Sequence, residues 1–297
     1  MKTSLDHLPA SRQLHLKYIV DVLLDEFEQV TGFANGRKKH SRILKIILFG
    51  SYATGKWVYD PANSYMSDYD VLVILNNEDL LEEYKIWTIA EQRISQYIKQ
   101  PFSLLVHTLE QVNEALSQGH YFFTDIKREG ILLLDASGKE LVQAGNITPA
   151  ELKVIAQKHY AQWFESATGF LTAYRAVLSS GELKNAAFQL HQVAERFYAC
   201  FLLVKTNYKP NTHNLSRLNS LAMLQNKSFG EIFPRDSKVH RRRFQLLKSA
   251  YIDARYSEHF EITREEIEWL AERVMCLQQL TESLCKERIK YLSMASD

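Results

Sequence analysis

The chain has 297 residues, 46% of them hydrophobic and 24% charged, a globular composition that excludes a long disordered or fibrous protein and leaves room for two domains. Lys+Arg total 36 against 35 Asp+Glu, for a net charge of +1; this excludes a whole-molecule electrostatic grip on nucleic acid and leaves only a local basic patch open. The three cysteines, Cys200, Cys276 and Cys285, lack Cys-x-x-Cys spacing, which speaks for buried, reduced thiols in the cytoplasm and against a disulfide framework or a zinc site.

The N-terminus carries Asp6 and His7 and no apolar leader run. No segment approaches the roughly 20 apolar residues of a membrane helix, so a membrane is not an expected partner. Residues 11–31 read as an amphipathic helix with Leu14, Tyr18, Val22 and Phe27 near one face and Gly32 after it. A basic loop, Gly36 to Arg42, precedes a strand rich in β-branched residues at Ile43–Phe49. Residues 50–68 hold Gly, Pro, Asn and Ser and read as a turn with extended pieces. Tyr69–Leu75 is a second strand, 79–99 a helix, and Phe102–His107 a third strand opened by Pro101. A short helix follows with Thr108 as N-cap, then another running into a strand at Ile131–Leu134.

From Thr148 the pattern changes. Thr148-Pro149-x-Glu151 places Thr at the N-cap, Pro at N1 and Glu at N3 of a helix running to about Ser180, where Gly181 stops it. Further helices are predicted over 183–206, 214–222, 237–256 and, capped by Thr263-x-x-Glu266, to about residue 290. With no strand pattern after Leu134, the fold class is α+β: a mixed sheet with flanking helices over 1–145 and an all-α bundle over 146–297.

The chemistry concentrates in "ILFGSYATGKWVYDPANSYMSDYDVLVIL", Ile47 to Leu75. A Gly50-Ser51 turn leaving a strand exposes backbone N–H groups and a hydroxyl that suit a phosphate, and Gly55 lets the backbone stay close to a ligand. Asp68 and Asp70 alternate on an extended chain and so point to one side. Two carboxylates beside a phosphate cradle form a Mg²⁺ site, because that ion takes hard oxygen ligands from one or two carboxylates plus substrate phosphates.

The order strand, Gly-Ser, helical turn, Asp-x-Asp, strand resembles the polymerase-β-type nucleotidyltransferases, with matches at Gly50, Ser51, Asp68 and Asp70. The long gap between the motifs makes "KWVYDPANSYM" an inserted turn or hairpin. The family often carries a third carboxylate on a later strand. Here that strand reads "FSLLVH", so Ser103 or His107 occupies the neighbourhood, with Glu110 and Asp125 beyond, and His107 is a candidate base. "AERFYACFLLVKTNYKPNTHNL" and "LLKSAYIDARYSEHFEITREEIEWLAERV" resemble a HEPN domain, and nearly the whole chain is similar to bacterial nucleotidyltransferase–HEPN fusions.

This resemblance implies ATP or another nucleoside triphosphate as substrate, Mg²⁺ as cofactor, and transfer of a nucleoside monophosphate to an unidentified acceptor held between the domains. Relatives act on aminoglycoside hydroxyls or, in toxin–antitoxin pairs, on a HEPN tyrosine, which makes Tyr251 and Tyr256 candidate targets in cis. A homodimer is implied, since HEPN bundles often pair. A nucleotide-binding regulator without catalysis is the rival. Some HEPN domains are ribonucleases with an Arg-x4-6-His motif, which would make RNA a partner. Arg235 to His240 fits that spacing but precedes the long helix, and Arg255 with His259 lies nearer the family position with only three residues between. "KVHRRRF", Lys238 to Phe244, is a basic patch. Tyr160, Trp163, Phe164, Phe170 and Tyr174, at helical spacing, are expected in the core.

Overall fold

The two apolar runs that bracket the Gly-Ser and Asp-x-Asp motifs become the centre of a sheet. In the computed structural model, which describes residues 1–60 and 65–295, β1 (Ile43–Phe49) lies antiparallel to β4 (Tyr69–Leu75), with Phe49 opposite Asp70. All seven residues of β4 are buried, which is why Val71–Leu75 is continuously apolar rather than alternating. β5 (Phe102–Thr108) adds in parallel to β4, and β6 (Ile131–Asp135) antiparallel to β1, in the order β5-β4-β1-β6. The backbone of Lys2 extends the β6 side: its N–H donates to Gly130 O (3.3 Å), and its carbonyl accepts from Leu132 N–H (2.8 Å).

Two helices, α1 (Ala10–Gly32) and α3 (Tyr84–Tyr97, shorter than predicted), flank the sheet, and Leu16, Ile19, Leu23, Ile86 and Ile94 form one core with Ile46, Leu48, Val71 and Val73. The buried side of α1 is Leu16, Ile19, Val22, Leu23 and Phe27. The face predicted from the sequence is therefore rotated: Leu14 is 67% exposed. Between β1 and β4 lie a five-residue helix, α2 (Gly50–Thr54), and the antiparallel pair β2 (Tyr59–Asp60) and β3 (Tyr65–Met66). The inserted hairpin is thus present at its two ends, and its tip, 61–64, lies outside the described residues.

After β5, Thr108 caps α4 (Leu109–Ser117) in a full capping box with Gln111, and α5 (Tyr121–Glu129) leads into β6. The Phe122 ring of α5 meets Phe49 edge-on at 5.6 Å, so α5 reaches the sheet face opposite α1.

At the far end of β1 a buried cation is neutralised across strands: Lys45 Nζ lies 2.8 Å from Asp135 Oδ2. That hydrogen bond, with help from the Ser137 and Gly138 amides, draws the Asp135 carboxyl down to about 2. A carboxyl depressed on folding stabilises the native state above its unfolded pKa of about 4, and this contribution is lost as pH falls through the folded value. Thermal midpoints followed from pH 5 to pH 2 are expected to fall more steeply in wild type than in Lys45→Met, with the difference arising between about pH 4 and pH 2.

The chain divides into two units, Met1–Asn146 and Ile147–Asp297. The second is helical throughout its described residues: α6 (Pro149–Ser179), α7 (Leu183–Thr206), α8 (Leu215–Gln225), α9 (Phe229–Ile232), α10 (Lys238–Ser249), α11 (Asp253–Tyr256) and α12 (Arg264–Met294). Capping boxes at Thr148 and Thr263 start the two longest helices. Sixteen residues of α7 are buried, on all sides, making it the axis about which α6, α12 and α8 pack. The predicted helix over 237–256 is broken after Ser249 and resumes as α11. Of the aromatics predicted for the core, Tyr174 is buried. The others are half-buried, with the Arg196 guanidinium 3.9 Å over Phe170 and Lys209 5.6 Å over Trp163. Cys200 and Cys285 are buried and Cys276 is partly exposed. No described helix is long and apolar enough to cross a membrane.

Candidate active site and the second cluster

The residues predicted to form a site meet where β1 ends and β4 begins. Gly50 opens α2 directly after β1 with φ +73°, a left-handed conformation that disfavours any side chain. Its cross-strand surroundings require glycine as well. A Cβ at Gly50 would collide with Asp70 Oδ2 and stand 3.1 Å from its Cγ. The carboxylate of Asp70, 2% exposed, therefore lies against the bare backbone of the turn. Ser51 follows on α2, half-buried.

Tyr69 explains how the acids are aimed. Its side chain is fully buried in the α1 core, so strand alternation sends Asp70 to the opposite face with Leu72 and Ile74. Asp68, half-buried, sits immediately before β4. The Tyr69 ring stacks on Tyr52 of α2 at 4.2 Å, and Tyr52 stacks on Trp57 at 5.3 Å. His15 Nδ1 is 3.1 Å from the Tyr69 hydroxyl, and His7 Nε2 donates to Tyr52 O at 2.8 Å. The Arg12 guanidinium packs 4.7 Å over Tyr59 and 5.6 Å over Trp57. Burial pushes both the Tyr52 and Tyr69 hydroxyls up, leaving them neutral phenols. This ring stack locks the glycine turn to the strand that carries the acids. Only the Tyr in Asp-Tyr-Asp signalled it in the sequence.

Gly55 stands at the other end of α2 as its C-cap, with φ 74°, and that left-handed cap accounts for a glycine there. In the parallel register of β4 and β5, Ser103 is the partner of Asp70 and His107 the partner of Ile74. His107 is thus four residues along the strand, roughly 13 Å from the acid at strand rise, and its Nδ1 lies 3.2 Å from Gln111 Oε1. The structure therefore does not bring His107 beside Asp70. Glu110 is exposed on α4, and Asp125 is paired with Arg128 at 2.5 Å.

Residues 34–137 match the family model described as polymerase beta, nucleotidyltransferase, and residues 160–283 match that of the HEPN domain. The chain is a nucleotidyltransferase–HEPN fusion. No curated protein matched it.

In the HEPN domain of the fusion, the Arg255 and His259 pair is not brought onto one helix face. α11 ends at Tyr256, and His259 lies in the following turn with its N–H on Ser257 Oγ. Arg255 donates from Nε to Tyr251 O (2.8 Å), and its guanidinium covers the Tyr251 and Phe188 rings at 4.8 Å each. Arg235 and His240 engage different partners. Arg235 lies over Phe244, while His240 holds Asp236 at 2.6 Å and stacks on Trp269. Within the basic patch, Arg242 pairs with Glu266 and Arg243 with Glu265. Tyr256 is 75% exposed.

Sequence reading missed a cluster in the core of the fusion's HEPN domain. Glu195, 5% exposed, accepts from His213 Nδ1 at 2.9 Å and faces His191 Nε2 at 3.6 Å. His191 donates from Nδ1 to Leu247 O at 2.9 Å. Burial pushes the Glu195 carboxyl up, but the His191 and His213 imidazoles beside it outweigh that and leave the group below its ordinary value. Tyr251 stacks on both imidazoles, at 4.1 Å from His213 and 5.3 Å from His191. The His191-x-x-x-Glu195 spacing, one helical turn, was the available signal.

Proposed function

We propose that the fusion transfers a nucleoside monophosphate, AMP from ATP, to an acceptor hydroxyl. The observation that carries this reading is the bare Gly50 turn pressed against the Asp70 carboxylate, which takes up the space a side chain would fill and so sets an acid directly against the backbone of the turn. Strand alternation carried back two residues from Asp70 gives Asp68 the same side. A pair of hard oxygen donors beside such a cradle fits Mg²⁺. Asp68 and Asp70 would hold it, and when bound it supplies charge neutralisation for the triphosphate. Gly50 and Ser51 offer backbone N–H groups and a hydroxyl to the phosphates.

In the reaction, an acceptor oxygen forms a bond to the α-phosphorus. The bond from that phosphorus to the bridging oxygen breaks, pyrophosphate leaves, and the acceptor proton passes to solvent. The chain's part is orientation: the Tyr52–Tyr69 stack fixes the turn against the acids, which keeps the reacting groups in register.

The test is incubation of the full chain with ATP labelled at the α-phosphate, Mg²⁺, and hydroxylated acceptors, the chain's own tyrosines included. Label on an acceptor with an equal amount of pyrophosphate is the expected result. Bound ATP with no pyrophosphate from any acceptor would favour the regulatory reading instead.

A further inference from the structure

Ser103 is a buried hydroxyl with no structural employment. It is 3% exposed, its Oγ has no hydrogen-bond partner, and a group of this kind destabilises the fold unless something satisfies it. In the parallel ladder it is the direct neighbour of Asp70, and directly paired residues present their side chains on the same face of a sheet. Asp70 and Ser103 therefore lie side by side on β4 and β5, and the Gly50 turn that follows β1 packs against Asp70. These three positions supply one carboxylate, one bare backbone and one neutral hydroxyl, and Asp68 adds the second negative charge. Among the described residues no group of three or more His, Cys, Asp or Glu side chains is placed to hold a metal ion.

Resting on the reading of this site as a nucleotide site, we propose that Ser103 is its third polar group and that its neutrality limits the site to a single divalent cation. Two carboxylates balance the charge of one such ion. A second ion a few ångströms away would share the two carboxylates and the phosphate oxygens with the first and would need a further anionic ligand from the chain, and at the position beside Asp70 the chain supplies an uncharged oxygen. The Ser103 hydroxyl is left to bind the ion's water shell or a phosphate oxygen of the nucleotide. It is a positioning residue for that ligand.

The experiment counts Mn²⁺ retained with the full chain, by electron paramagnetic resonance after ultrafiltration, in the presence of an ATP analogue with a methylene bridge between the α and β phosphorus atoms. Wild type is expected to retain one Mn²⁺ per bound nucleotide, and Ser103→Asp two. Ser103→Ala is expected to retain one, with affinity weakened about fivefold by the lost hydrogen bond. Circular dichroism confirms folding of each variant. Two ions on wild type, or unchanged Mn²⁺ affinity in Ser103→Ala, would overturn the inference even if Ser103→Asp does not fold. A folded Ser103→Asp that still retains one ion would do the same. Those results leave the nucleotide reading standing. If wild type retains neither nucleotide nor Mn²⁺, the nucleotide reading fails and this inference fails with it.

Discussion

Asp70→Asn is expected to lower the rate of pyrophosphate release by about 10³-fold while leaving the thermal midpoint no lower than that of wild type. The substitution keeps the shape of a side chain that is 2% exposed and packed against the Gly50 turn, so the sheet has no reason to rearrange. What it removes is a negative charge. A carboxylate that holds a divalent ion against a triphosphate contributes several kcal/mol to the transition state, and about 4 kcal/mol is a thousandfold in rate. Steady-state assays at saturating Mg²⁺ alongside a melting curve measure both halves of the expectation. Activity within tenfold of wild type would remove Asp70 from the chemistry.

Gly50→Ala should be the most damaging single methyl in the nucleotidyltransferase unit. The left-handed backbone, φ +73°, penalises any L side chain by about 1–2 kcal/mol. The collision with the Asp70 carboxylate adds to that, because Asp70 is walled in and cannot swing away freely. Gly36 provides the control. It too has a positive φ, +62°, but a Cβ there meets nothing within 4 Å. Gly36→Ala is therefore expected to show the backbone penalty alone. Gly50→Ala should melt lower than Gly36→Ala and should also lose binding of the ATP analogue, which Gly36→Ala keeps. Equal melting points, or nucleotide binding intact in Gly50→Ala, would show that the turn is not a cradle.

The strands around the site were legible because their signal is local. Ile43–Phe49 and Tyr69–Leu75 are runs rich in β-branched residues and leucine, interrupted only by Lys45 and Asp70, with turn residues at the ends, and the structure places them at those residues. The register that joins Asp70 to Ser103 was not legible, since nothing along the chain encodes which strand lies beside β4. With the register known, Ser103 is singled out and His107 is displaced to the other end of the same strand. Tyr69 was hidden for a related reason. At the head of a predicted strand it can face either side, and only tertiary packing on Tyr52 reveals it as the residue that turns its neighbours to the other face. α1 misled because leucines and isoleucines occupy more than one side of the helix, so both Leu14 and Leu16 fit a helical stripe and only contact with the sheet chooses between them. The break after Ser249 carries no Gly or Pro. It coincides with Tyr251 reaching the two histidines held by Glu195, a contact from distant parts of the chain.

Lys2 has a consequence out of proportion to its position. By pairing with Gly130 and Leu132 it occupies hydrogen-bonding groups on the outer rim of β6. A bare rim of this kind is a template on which a foreign strand can dock. Trimming the first residues, or crowding them with a fused peptide, would strip that cover and turn a closed margin into an adhesive one. The Lys2 backbone thus shields part of that rim from the addition of a strand.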